Sequence, residues 1–194
     1  VPKSFVLPKE YNNFINEVNR DKKELWITKP YSLSRGRGIR ILDFRSKLPS
    51  ATDECVISRY IINPLLINGH KFDLRVYVLV TSYDPLRIYV YNEGLTRFAT
   101  EPYNIVPRFL DNHFMHLTNY SINKKNTKFS APAGDAINSE HLCIGHKWTI
   151  SALKRYFKSI DFVDTLLWRQ IHDIIIKTII SIEPIVTNTM KSIV

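Results

Sequence analysis

Apolar side chains recur at helical spacing over residues 9–20, where Tyr11, Phe14, Ile15 and Val18 share a face and Glu10 and Glu17 lie outside it, predicting an amphipathic helix. The period then shortens. Leu25–Pro30 reads as a buried strand, Ile39–Phe44 as a second, and Val56–Ile61 as a third, ended by Asn63-Pro64. Alternation returns in Lys71–Val80, Arg87–Tyr91 and Leu95–Ala99; the punctuation at Asp84-Pro85 and Asn92-Glu93-Gly94 predicts an antiparallel meander of three strands. His116–Asn119 is expected to close a further apolar strand. Lys124, Lys125, Asn126, Pro132 and Gly134 then mark a mobile loop over about 123–140. Two helices follow, Thr149–Phe157 and a long one from Asp164 to about Ile182, which is dense enough in isoleucine to expect packing on several sides.

One strand stands out because charge falls on every second position. Strand geometry places Lys71, Asp73 and Arg75 on one face, roughly 6.5–7 Å apart. Phe72, Leu74, Val76 and Val78 are expected to pack the other face into a core. Two fixed cations with a carboxylate suit the handling of phosphate, a metal or a charged substrate. The alternative is a solvated face whose Lys-Asp-Arg ladder neutralises itself.

Composition narrows the class of partner. The 194 residues are 44% hydrophobic and 12% aromatic, enough for one large or two small domains with a real core. Lys plus Arg number 27 against 18 acids, and the formal charge of +9 favours an acidic partner. Cys55 and Cys143 have neither metal-ligand spacing nor a disulfide framework, which fits a reducing, cytoplasmic compartment. No secretory signal opens the chain, and the run Ile174–Ile180 is far shorter than the ~20 residues needed to span a bilayer, so a soluble protein is expected. A start without methionine and a helical pattern still open at Val194 suggest a fragment of a longer protein.

Several short segments could carry chemistry. Ser34-Arg35-Gly36-Arg37-Gly38 lacks the Lys-Ser/Thr ending of a P-loop and precedes a strand rather than a helix. A glycine loop between antiparallel strands can still close over a nucleotide, its backbone N–H groups and Arg35 meeting phosphate oxygens; a basic hairpin tip is the alternative. Lys29 precedes Pro30, so its backbone is held extended at a strand end, where one ammonium can address a phosphate. Thr118 and Asn119 offer a hydroxyl and an amide to a substrate, or else serve turn chemistry. The histidines at 113, 116, 141, 146 and 172 lack paired zinc spacing and are expected to serve structure or surface.

Taken together, the segments at 26–30 (WITKP), 34–38 (SRGRG), 58–61 (SRYI), 71–78 (KFDLRVYV), 81–86 (TSYDPL) and 114–121 (FMHLTNYS) resemble the tubulin tyrosine ligase-like family, most closely its polyglutamylase branch. The likeness runs from about Phe5 to Thr189 and includes Gly145–Trp148 and Ile175–Ile180. It implies a partial ATP-grasp fold of the α/β (α+β) class, with antiparallel sheets and C-terminal helices. Residues 1–62 would then be part of the central subdomain, and residues 63–194 a C-terminal subdomain cut before its metal-binding strand.

The resemblance further implies an ATP-dependent ligase, with ATP and Mg2+ as cofactors, that adds free glutamate to glutamate side chains of tubulin C-terminal tails through an acyl phosphate. Carried onto matching positions, Lys29 meets the α/β-phosphates and Arg35, Gly36 and Gly38 form the covering loop. Arg59, Tyr60 and Ile61 form the adenine hinge. Lys71, Asp73 and Arg75 line the nucleotide and acceptor site, joined by Arg97, Thr118 and Asn119; Lys71, Asp73 and Arg75 are the expected catalytic residues. The family's magnesium-binding acids lie beyond Val194, so no metal ligand is assigned here and the fragment alone is expected to be inactive. Expected partners are tubulin tails or microtubules, with neither nucleic acid nor membrane, in the cytoplasm on the microtubule cytoskeleton, the cilium or basal body included. A non-catalytic tubulin-binding module, or a ligase adding glycine or tyrosine, is the alternative.

Overall fold

The computed structural model describes residues 1–130 and 145–192. It is a mixed α/β structure with two four-stranded sheets and C-terminal helices, consistent with a partial ATP-grasp-like fold. The chain divides into two compact units, Val1–Asp73 with Arg97–Phe129, and Leu74–Thr96 with Ser130–Val194.

In the first unit, β1 (Ser4–Val6), β2 (Trp26–Pro30), β3 (Arg40–Leu42) and β4 (Cys55–Arg59) form a sheet in the order β1-β4-β2-β3. Every neighbouring pair is antiparallel. Helix α1 (Tyr11–Arg20) covers it through Phe14 and Val18, as its apolar stripe requires. Phe14 meets Trp26 edge-on at 5.4 Å between ring centroids, and Phe5, Leu7, Leu42 and Ile57 complete this core. Glu17 is buried beside it and answered by Lys3, Arg20 and Arg59; the Lys3 hydrogen bond comes first among the contacts that hold its carboxyl below the ordinary range.

The second sheet has the order β5-β6-β7-β8, built from β5 (Leu66–Ile67), β6 (His70–Tyr83), β7 (Leu86–Phe98) and β8 (Lys147–Thr149). The sequence predicts a turn at Asn92-Glu93-Gly94, yet β7 runs straight through it. A Cβ on Gly94 would stand 2.2 Å from the Arg75 carbonyl oxygen, so this glycine permits a close backbone approach instead of reversing the chain. Glu93 accepts the Ser151 hydroxyl. The core expected under β6 is only partly formed: Phe72, Leu74 and Val76 are half-buried and Val78 is exposed.

The expected strand at His116–Asn119 is also absent. Residues His113–His116 form a short helix, α2, because the Asn112 side chain accepts the Phe114 N–H as a cap. Helix α3 (Tyr120–Asn123) ends where the loop expected over about 123–140 begins; the later part of that loop, with Pro132 and Gly134, lies outside the described residues, as do His141 and Cys143. In the second unit, α4 (Ile150–Ser159) is capped by Thr149 and buries Ile150, Leu153 and Phe157. Helix α5 (Thr165–Lys191) corrects another expectation. It buries no residue fully and leaves Leu166, Ile174, Ile180 and Ile185 exposed, since isoleucine density alone does not supply a neighbour to pack against.

Candidate functional site

The first unit brings Lys29, Tyr60 and Asp73, and Arg97 through Asp73, to Lys71, while the glycine loop rests on the 119–122 segment. Strand β6 begins at His70, paired with Ile67 of β5, and this places Lys71 beside Tyr60, which follows β4. The Lys71 ammonium donates to Tyr60 Oη at 3.1 Å and to the His116 carbonyl at 2.9 Å, and it sits 4.7 Å from the centre of the Tyr60 ring. Burial pushes Lys71 down to about 8; Asp73 opposes that fall and the nearby charge of Lys29 adds to it. Neither lysine makes an ion pair among the described residues.

Asp73 does not neutralise Lys71, because both its oxygens are taken by Arg97. Arg97 Nε donates to one at 2.8 Å, and its Nη2 forms a short contact with the other. The self-neutralising ladder is therefore only half right: Asp73 is paired across to β7 instead of along its own strand. Arg75 lies two residues further along β6, in the second unit, exposed and without an ion pair among the described residues.

The glycine loop joins antiparallel β2 and β3, as the sequence predicts. Arg35 (φ 61°), Gly36 (φ 83°) and Gly38 (φ 69°) adopt left-handed backbone, which glycine accommodates at little cost. The Ser121 hydroxyl donates to the Arg35 carbonyl at 2.7 Å. A Cβ on Gly36 would meet Ile122 Cδ1 at 2.5 Å and Asn119 Oδ1 at 2.9 Å, so the loop rests directly on the segment that carries Thr118 and Asn119. Buried Asn123 fixes that segment in turn: its amide nitrogen donates to the Leu117 and Asn119 carbonyls, and its oxygen accepts from Thr100.

Arg59 is placed differently from Tyr60 and Ile61. Its guanidinium lies 3.5 Å from Glu17 and 3.1 Å from Glu24, so its side chain is engaged in the ion cluster over α1. Ile61 is 58% exposed, leaving an open apolar surface beside Tyr60.

These features form one set: two unneutralised cations, a glycine loop in left-handed conformation, an exposed hinge and a polar Thr-Asn segment. The sequence matches the tubulin-tyrosine ligase family profile over residues 1–193. The chain belongs to the tubulin-tyrosine ligase family. It is 45% identical over 190 residues, 98% of its length, to the "Tubulin monoglutamylase TTLL4" of Mus musculus. It is 45% identical over 197 residues, 100% of its length, to the "Tubulin polyglutamylase TTLL5" of Homo sapiens. To the human "Probable tubulin polyglutamylase TTLL2" the identity is 44% over 193 residues, 95% of the chain. The chain spans 15%, 15% and 31% of the length of these relatives.

Ligases of the tubulin-tyrosine ligase family use ATP. Among the described residues, no group of three His, Cys, Asp or Glu is placed to hold a metal ion. An open groove of about 1630 Å3 lies in the second unit, lined by Ile88, Ile150, Trp168 and Ile176 among others. None of the sequence-predicted site residues lines it; its walls mix apolar side chains with Lys154, Lys158, Arg169 and His172 and with Asp161, Asp164 and Asp173. Sequence reasoning missed Ser121 and Asn123, and it gave His116 only a general structural role. A polar residue type alone does not reveal a partner 86 positions away, as in the Ser121–Arg35 contact.

Proposed function

We propose that this chain is the nucleotide-binding part of an ATP-dependent ligase that joins free glutamate to glutamate side chains in the acidic tails of tubulin. The observation that carries the reading is Lys71: a desolvated ammonium held by neutral dipoles, beside a second cation, with its nearest acid occupied elsewhere. Such a charge is reserved for an anion. The relatives' names support tubulin and glutamate as the substrates.

In this reading Lys29 and Lys71 attract the phosphates, the Arg35–Gly38 loop covers them, and Tyr60 and Ile61 border the adenine. Arg59 contributes backbone to that hinge, its side chain being committed to Glu17 and Glu24. Arg97, Thr118 and Asn119 orient the amino acid or its acceptor, Asp73 holds Arg97, and Arg75 supplies further positive charge. ATP supplies the phosphoryl group that makes a carboxylate a competent acyl donor. No step is assigned to magnesium. Residues 1–62 would supply the central subdomain and 63–194 the C-terminal one. The +9 charge favours attraction of an acidic tail and so supports a location on microtubules in the cytoplasm, the cilium or basal body included.

The test is mass spectrometry of tubulin after incubation with the full-length protein, ATP and each of glutamate, glycine and tyrosine. Glutamate increments on acidic residues are expected. Increments of glycine or tyrosine would overturn the amino-acid assignment, and no ATP-dependent increment would overturn the ligase.

A further inference from the structure

We propose that His116 is a positioning residue that, through the hydroxyl of Tyr60, holds the Lys71 ammonium in the one orientation that leaves a single N–H free for an anionic ligand. This rests on the nucleotide reading of the site given above. The geometry sets the His116 tautomer, and with it the direction of its contact with Tyr60. His116 Nε2 lies 3.0 Å from the Phe109 carbonyl, an oxygen that can only accept, so Nε2 carries the hydrogen. Nδ1 of the neutral ring is then an acceptor, and it lies 3.0 Å from Tyr60 Oη. Tyr60 therefore gives its proton to His116 and turns its lone pairs to Lys71, which donates to it at 3.1 Å.

The same histidine supplies the second acceptor, its backbone carbonyl at 2.9 Å from the ammonium. Two of the three ammonium donors are thus satisfied by residues that carry no charge. The third has no partner among the described residues, and the full positive charge remains available. Replacing these dipoles with a carboxylate would orient Lys71 equally well but cancel the charge a phosphate needs.

The surroundings keep His116 neutral. It is 1% exposed, with Tyr60 and Tyr103 edge-on at 5.8 and 5.6 Å between ring centroids. Burial holds its imidazole below the ordinary range, against the hydrogen bond to the Phe109 carbonyl; the Lys71 ammonium and nearby His113 act in the same direction as burial. Burial, and after it a hydrogen bond with the Tyr103 hydroxyl, raise the Tyr60 phenol, so Tyr60 stays protonated, with His116 Nδ1 and Tyr103 both within its reach. A protonated His116 would point a second donor at Tyr60 and break the arrangement.

The experiment uses the full-length protein and two readouts: competitive acylation of Lys71 with acetic anhydride across pH, read by mass spectrometry, and ATP affinity by calorimetry. The variants are His116→Phe, His116→Gln, Tyr60→Phe and the double Tyr60→Phe/His116→Phe. Glutamine can both accept from Tyr60 and donate to Phe109, so His116→Gln should keep ATP affinity within about threefold, whereas His116→Phe and Tyr60→Phe should each lose about tenfold. Both phenylalanine variants should displace the Lys71 titration by about one pH unit or more. Because the two residues act in series, the double variant should bind ATP no more weakly than Tyr60→Phe alone.

An unmoved Lys71 titration in both phenylalanine variants, a glutamine variant no better than phenylalanine, or additive losses in the double variant would each overturn the proposal. Lys71 displaced in the variants of a protein whose wild type does not bind ATP would uphold the positioning and refute the nucleotide reading. Wild-type ATP binding with an unmoved Lys71 would do the reverse.

Discussion

Replacing Lys71 with methionine should make the ligand-free protein more stable at neutral pH while abolishing its affinity for ATP. Lys71 titrates near 8 in the folded chain against 10.5 for an ordinary lysine. At about 1.4 kcal/mol per tenfold change in equilibrium, keeping the ammonium charged in its pocket costs about 3 kcal/mol. Methionine removes that cost but withdraws the donor from Tyr60 Oη and from the His116 carbonyl, a loss of about 1 kcal/mol for each contact. The net gain is about 1 kcal/mol, or about 2–4 °C in melting temperature for a chain of this size.

The pH dependence provides a separate check. Lysine's folded-state value is depressed, so the cost is fully present below about pH 8, where both folded and unfolded chains hold the proton. Between about 8 and 10.5 the folded chain releases a proton that the unfolded chain retains, and wild-type stability rises towards and past that of the variant. Scanning calorimetry without nucleotide at pH 7 and pH 10 measures both points. A variant less stable at pH 7, or a difference that stays constant across this range, would refute the account of Lys71 as a desolvated, uncompensated charge.

Gly94→Ala should lower the melting temperature by about 2–12 °C, because its Cβ would drive the Arg75 carbonyl from a 2.2 Å contact and such overpacking costs about 1–3 kcal/mol; an unchanged scan would remove the close-approach explanation of the uninterrupted strand. Gly36→Ala imposes a left-handed residue at a cost of about 1–2 kcal/mol and displaces the loop from Ile122 and Asn119, so calorimetry should find ATP affinity about tenfold weaker. In steady-state assays of the full-length protein, raising salt to physiological strength, where the Debye length is about 8 Å, should raise the KM for tubulin far more than that for ATP; equal changes would discount attraction of the acidic tail.

The parts legible in the sequence were those set by local pattern. Alternation marked β2 and β3, and two closely spaced glycines marked the loop between them. The segment Asn92-Glu93-Gly94 misled because its composition is that of a turn, while the reason for Gly94 is the Arg75 backbone nearly twenty residues earlier. The strand expected to close at His116–Asn119 is absent, because the Asn112 side-chain cap that starts a helix at His113 is invisible to periodicity. The isoleucines of α5 announced an apolar surface but not what would cover it. Lys71, Asp73 and Lys29 could be nominated by spacing and residue type. That Asp73 serves Arg97, and that Lys71 depends on Tyr60 and His116, eleven and forty-five positions away, follows only from the folded chain.

The hydroxyl of Ser121 and the packing of Gly36 on Asn119 give the glycine loop a definite shape before any ligand arrives. A free loop would surrender about 1–2 kcal/mol of backbone entropy for each residue ordered on contact. Here that ordering belongs to folding, so the entropy of nucleotide capture should be governed by water and counterions and not by the polypeptide. Cutting the Ser121 tether would transfer the ordering cost to the binding step, making association more exothermic and entropically less favourable even where the affinity itself changes little.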